Sequence, residues 1–191
     1  MQFDEVIKRR KSTRQFTSKK VSWKHALESI DAAINGPFAG SLNHLKFIIV
    51  EETATIKSLA EQSAQLWISE ASMVIVVCSD DTNIETQYGE RGRIYSRQQA
   101  GAAINTLILK LTDLGLSSCW VGSYDDGRIR DILKINKEHI QIEAIIPIGY
   151  EKEDPSTIRP KKLALENVLR WEDWNQKRRP TVFKEPEIKY R

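Results

Sequence analysis

A 3.6-residue apolar period between Ala100 and Leu114 constrains this chain more than any other feature. Ala100, Ala103, Ile104, Leu107, Ile108, Leu111 and Leu114 recur at three- and four-residue steps, the spacing that lines one stripe of an α-helix. Gly115 follows at the place where a left-handed C′ residue ends a helix. Read from Ile94 to Leu114, this helix is about 30 Å long, and its side chains are apolar enough for a central helix. Shorter elements surround it in sequence. Residues 2–10 read as a short helix with Phe3, Val6 and Ile7 on one face. Ser22 is a credible N-cap for a helix from Trp23 to Asn35, stopped by Gly36-Pro37. Leu45–Val50, Ser72–Cys78, Ser117–Gly122 and Ile140–Ile148 read as strands, Thr53–Gln65 and Gly127–Leu133 as helices. The polar stretch Asp80–Gly92, with two glycines, reads as a loop or a poorly anchored segment. Such alternation predicts an α+β or α/β domain. The 191 residues suit one domain, or one domain with arms.

Composition removes several classes. Residues that are 40% hydrophobic and 29% charged are those of a globular chain, neither disordered nor fibrous. The longest apolar run, Met73 to Cys78, is far short of a membrane helix. The N-terminus, MQFDEVIKRRK, lacks the apolar core of a signal peptide. Two cysteines, Cys78 and Cys119, make no disulfide scaffold. These features together lead to the expectation of an intracellular, cytoplasmic protein.

Charge is distributed unevenly. Residues 1–24 hold eight Lys/Arg and two acids, and residues 155–191 hold ten and five, around an acidic middle. Three readings fit: two solvated basic ends, nonspecific nucleic-acid binding through Lys8, Arg9, Arg10, Lys11 and Arg14, or convergence of both ends on one small anion. The final residues, from Arg170 onward, have no period but carry Trp171, Trp174, Phe183 and Tyr190. Such a tail is either disordered or packed outside its own core. The aromatics favour packing, because each large apolar side chain left in water forgoes roughly 1.5–3 kcal/mol.

Catalytic side chains are scarce. His25, His44 and His139 lie far apart with no zinc spacing, so no metal site is expected. Phosphate-loop, dinucleotide and serine-hydrolase motifs are absent from the sequence. Cys78 and Cys119 sit in strand-like runs and read as core. No catalytic side chain can be nominated, so an enzyme built this way leaves the reaction to a cofactor. Arg10-Lys11-Ser12-Thr13-Arg14 could hold a phosphate: if it is extended, residues 10, 12 and 14 share a face, giving two guanidiniums and a hydroxyl. Pro37 to His44, with Gly36 before it and Gly40 within it, reads either as a loop that approaches a flat ligand or as an ordinary helix-to-strand connection.

The order of five motifs resembles the FMN-dependent nitroreductase family. They are Arg10 to Phe16, Pro37 to Leu45, Leu114 to Gly122 (LGLSSCWVG), Ile146 to Tyr150 (IPIGY) and Lys161 to Val168, followed by WEDW. The resemblance implies that Arg10, Lys11 and Ser12 hold the FMN phosphate and ribityl chain, with Arg14 a cation near the pyrimidine edge. It places Pro37, Phe38, Ala39, Ser41 and Asn43 beside the ring, and the Val121–Gly122 backbone at N5. Lys162, with Lys161 or Arg159, stands for a late phosphate-binding arginine. The chain departs from the family pattern at Phe38, Ser41, His44 and Leu45, on the ring and substrate side. The implied fold is an α+β, three-layer, nitroreductase-like one, with a central, mostly antiparallel sheet flanked by helices. Residues 1–168 would form the FMN-binding domain of a homodimer, and arm 169–191 would be exchanged with the partner. The implied activity is transfer of hydride from NADH or NADPH to a nitroaromatic, quinone or similar small acceptor, by a ping-pong mechanism. A different flavoenzyme reaction (dehalogenation, flavin fragmentation, substrate dehydrogenation) is the alternative, and a non-enzymatic nucleic-acid binder a more distant one.

Overall fold

A computed structural model of the chain describes residues 1–152 and 164–179. Its helices are α1 (Phe3–Arg9), α2 (Trp23–Ile34), α3 (Thr53–Gln62), α4 (Thr82–Tyr88), α5 (Glu90–Asp113) and α6 (Asp126–Ile132). Its strands are β1 (Leu45–Val50), β2 (Met73–Asp80), β3 (Ser117–Ser118) and β4 (Ile140–Gly149). The sheet order is β1-β2-β4-β3, with every pairing antiparallel.

The continuous apolar run of β2 explains the layering. Side chains alternate across a strand, so a strand apolar at every position must be covered on both faces. Met73, Ile75 and Val77 meet Ala144, Ile146 and Ile148 of β4 beneath α2 and α5. Val74, Val76 and Cys78 meet Ile145 on the other face, beneath α3 and α6. The result is an α+β fold of three layers with a core on each side of the sheet. Beyond a register shift between Val77 and Cys78, Cys78 pairs with Ile142 where unbroken register would give Glu143.

Helix α5 fulfils the sequence pattern: Ala100, Ala103, Ile104, Leu107, Ile108 and Leu111 are all buried. Gly115 takes φ +77°, the left-handed geometry a C′ residue needs. Ser22 caps α2, its Oγ accepting from the Lys24 amide at 3.4 Å. Two readings needed correction. Asp80–Gly92 is not a loop: α4 occupies Thr82–Tyr88 and α5 begins at Glu90. Polar composition hid a helix whose one fully buried apolar residue is Ile84. The expected strand Ser117–Gly122 shortens to Ser117–Ser118, with Val121 making an isolated bridge to Ile145. Residues 1–154 and 155–191 form two separate compact units. In the described part of the second, a short turn covers Leu165–Asn167, and the Arg170 and Arg179 guanidiniums lie 5.2 and 5.8 Å from the rings of Trp174 and Trp171. No helix among the described residues is long and apolar enough to cross a membrane.

Candidate functional site

The basic pentapeptide is fixed by backbone pairing before any ligand is considered. After α1 ends, Ser12 bridges Ser118 in parallel, and the Thr13 amide donates to the Ser118 carbonyl at 3.0 Å. Three residues on, Phe16 bridges Glu151, the Thr17 amide donates to Tyr150 O at 2.8 Å, and the Lys152 amide to Gln15 O at 3.1 Å. The segment is therefore stitched to the two motifs read as LGLSSCWVG and IPIGY. Beside the first of these motifs opens a cavity of about 210 Å³, lined by Arg10, Lys11, Ser12, Asn105, Ile108, Ser118 and Trp120. The polar lining is a guanidinium, an ammonium, two hydroxyls and one amide, a donor set suited to an anion. Beside it the Thr13 hydroxyl is buried with no hydrogen-bond partner, an unpaired group of the kind that marks functional sites.

Arg14 lies outside that lining. Its guanidinium stands 5.9 Å from the centre of the Trp67 ring, a cation–π arrangement. Among residues 10, 12 and 14, the structure gathers the first two and adds Lys11. Lys11 is itself paired to Glu151, Nζ to Oε1 at 2.6 Å.

The loop from Pro37 to Asn43 does not line this cavity. It is anchored to the early turns of α5: the Ala39 amide donates to Gln99 Oε1 at 3.0 Å, and buried His44 reaches the Ser96 carbonyl with Nε2 at 3.3 Å. The second polar atom of each buried side chain, Gln99 Nε2 and His44 Nδ1, has no partner. Phe38 packs edge-on to His44, with ring centres 6.1 Å apart. Ser41 holds φ +57°, a costly geometry for a residue with a side chain. Asn43 acts as a turn residue, its Oδ1 accepting from the Leu45 amide at 3.1 Å.

Val121 and Gly122 differ in what they leave available. The Val121 amide and carbonyl both bond to Ile145, each at 3.0 Å. Gly122 is exposed with open space about it, so of the two amides Gly122 is the one free to meet a ligand. Arg159, Lys161 and Lys162 lie outside the described residues.

Both cysteines are buried. Burial pushes the Cys78 thiol up to about 11, and Glu143 adds to the rise. Burial also raises Cys119, against the lowering influence of Arg14, its hydrogen bond to Ser12, and Arg10. A thiol whose folded pKa exceeds its unfolded value holds its proton more tightly when folded. Its stabilising contribution is complete below the unfolded value and is lost as pH rises through the folded one. Cys78 is therefore expected to make wild-type stability fall between about pH 9 and 11 more steeply than that of Cys78→Ala, as read by urea midpoints across that range.

A cavity of about 950 Å³ lies elsewhere, between α4, α5 and the start of β4. None of the expected cofactor-binding residues lines it, although His139 does. Its charges satisfy one another: Arg93 pairs with Glu85 at 2.6 Å, and Arg97 bridges Asp81 and Glu143. Ser118 and Trp120 lie within the LGLSSCWVG motif but were not singled out as site residues. Asn105, Trp67, Gln99 and Glu151 belong to no local pattern and meet these segments only through tertiary packing, although Glu151 directly follows the IPIGY motif.

The sequence matches the nitroreductase family's model over residues 7–73 and 60–150. It is 28% identical, over 157 residues, to a Methanothermobacter thermautotrophicus protein named for NADH dehydrogenase/NAD(P)H nitroreductase, covering 80% of this chain and 79% of that one. It is 23% identical, over 185 residues, to an iodotyrosine deiodinase of Thermotoga neapolitana, covering 87% and 96%. An FMN-dependent nitroreductase of Clostridium difficile superposes with a TM-score of 0.74 at 22% identity, covering 88% and 98%.

Proposed function

The chain belongs to the nitroreductase family of oxidoreductases, and from that premise we propose that it binds FMN by its phosphate between Arg10, Lys11 and Ser12. It would use the flavin to pass electrons from NADH or NADPH to a nitroaromatic, quinone or similar small acceptor. The observation that carries the reading is the cavity itself: backbone pairing brings three consecutive donors of the N-terminal motif against Ser118 and Trp120 of a distant one.

The residues present fit the group. The cavity, at about 210 Å³, is below the roughly 300–1,000 Å³ of a complete small-molecule site, so it suits the phosphate end of the cofactor. The ring would lie beyond it, against the exposed Gly122 amide and the Pro37–Asn43 loop. That loop packs on a different part of α5 from Asn105 and Ile108, so a second subunit would complete the site. Phe3, Ile7, Trp23, Leu27, Ile94 and Trp120 leave large apolar side chains exposed on one chain, as a dimer-forming surface would. Arm 169–191 would wrap the partner, and Lys162, with Lys161 or Arg159, would add charge at the phosphate.

The chemistry FMN supplies when bound is two-electron redox exchange with donor and acceptor in turn. This chain's work is binding and electrostatics. Arg10 and Ser12 fix the phosphate by charge-assisted bonds. Arg14 supplies positive potential toward the pyrimidine edge once freed from Trp67. Phe38 and His44 shape the loop that screens the acceptor. In an anaerobic assay of FMN-loaded protein, NADH or NADPH should bleach the oxidised-flavin band, and quinone or nitroaromatic should restore it. Double-reciprocal plots should be parallel, and converging lines would contradict alternate binding at one site.

A second reading has specific support. The chain is similar to an iodotyrosine deiodinase over 185 residues, and its departures from the nitroreductase pattern at Phe38, Ser41, His44 and Leu45 lie on the ring and substrate side. Release of iodide from an iodinated phenol under reducing conditions, with no turnover of quinones or nitroaromatics, would move the assignment to reductive dehalogenation.

A further inference from the structure

We infer that Glu151 competes with the bound phosphate for Lys11 and so sets how tightly the phosphorylated cofactor is held. The inference rests on the proposed reading of the Arg10–Ser12 cavity and extends it to a residue outside the family motif.

The geometry is unusual for an anion site. Lys11 lines the cavity, yet its ammonium is paired to a carboxylate 2.6 Å away, with each side chain about a quarter exposed. Glu151 cannot drift away with its backbone. Its bridge to Phe16, flanked by hydrogen bonds from the Thr17 amide to Tyr150 and from the Lys152 amide to Gln15, pins it beside the basic segment. Arg10, by contrast, makes no ion pair among the described residues. The site therefore contains one cation open to an anion and one already neutralised.

An arriving phosphate must draw the ammonium from Glu151 and lie near a like charge. Between partly exposed groups such a charge counts for about a tenfold change in affinity. The consequence is a phosphorylated flavin that exchanges with solvent rather than one held permanently. The effect is confined to the phosphate, because only that end of the flavin carries the negative charge that Lys11 and Glu151 respond to.

The test compares Glu151→Gln with wild type by fluorescence titration of the apo protein with FMN and, separately, with riboflavin, which lacks only the phosphate. Gln keeps the shape and removes the charge. FMN should bind the variant about tenfold more tightly, with riboflavin unmoved, and the gain should shrink when Lys11 is also replaced by Met. Unchanged or weaker FMN binding would overturn the inference, the latter making Glu151 a residue that aims Lys11 at the phosphate. Equal tightening of both flavins would also overturn it. Wild type that binds riboflavin as well as FMN, and responds to neither change, would refute the cavity as the phosphate site and the inference with it. A folding check by circular dichroism and the riboflavin titration keeps a misfolded variant from being read as a result.

Discussion

Replacing Arg10 and Ser12 together by Ala should weaken FMN binding by about 30–1,000-fold, the loss expected when one charge-assisted and one neutral phosphate contact, together about 2–4 kcal/mol, are removed. Riboflavin should bind the double variant and wild type alike. The fold should survive, because both side chains are exposed and neither is part of either core. What holds this segment is backbone: Ser12 to Ser118, Phe16 to Glu151. Isothermal titration of the two flavins against both proteins measures the difference. FMN affinity equal in the two would mean that the cavity binds something else, or nothing.

Gly92→Ala should destabilise the protein by about 2–4 kcal/mol, although Gly to Ala inside a helix ordinarily stabilises by up to about 1 kcal/mol. The sign reverses because α4 runs over this position. A Cβ on Gly92 would sit 2.5 Å from the Ile84 carbonyl oxygen and 2.8 Å from its carbon, both backbone atoms that no rotamer change can move. Relief requires α4 to lift from α5. That movement would also disturb the Arg97 bridge to Asp81 and the contact of Ser96 with the same carboxylate. Thermal unfolding followed by circular dichroism should show a melting temperature lower by roughly 5–15 °C. Gly101→Ala, with nothing within 4 Å of the new methyl, is the control and should leave stability unchanged or raise it.

The elements legible in the sequence were those whose period matched their burial. Helix α5 has a one-sided apolar stripe and a glycine stop, and it formed where the stripe predicted, extended by four residues at its start. Strand β2 is apolar without interruption from Met73 to Cys78, and it became the strand covered on both faces. Helix α4 was illegible because Ile84 is its only fully buried residue, and a helix with one buried apolar position has no period to detect. Its packing depends on Gly92, which in sequence resembles a breaker and in space is a point of close approach. Strand β3 is shorter than expected because Cys119 and Trp120 lie outside the ladder before Val121 rejoins it by an isolated bridge to Ile145.

The site was legible to the extent that it is contiguous. Arg10, Lys11 and Ser12 line one cavity, as their adjacency in sequence suggests, whereas the contact of Arg14 with the Trp67 ring is a tertiary one that strand-like alternation does not encode. Asn43 read as a polar group for a ligand, and its second role, closing the turn by accepting from the Leu45 amide, emerged only from the fold. Gln99 and Glu151 had no local signal at all, since an amide inside a helix and a glutamate after a strand are commonplace until tertiary contact gives them partners. The preference for Gly122 over Val121 emerged only from the bridge that occupies both backbone groups of Val121.

The account stands on phosphate-directed binding of a flavin, and titrating the apo protein with FMN and riboflavin tests it most directly. Saturation near one FMN per chain with a dissociation constant of roughly micromolar or lower, and riboflavin markedly weaker, is the predicted result. An absence of any change in flavin fluorescence or absorbance across that range, or equal affinity for the two flavins, would contradict it.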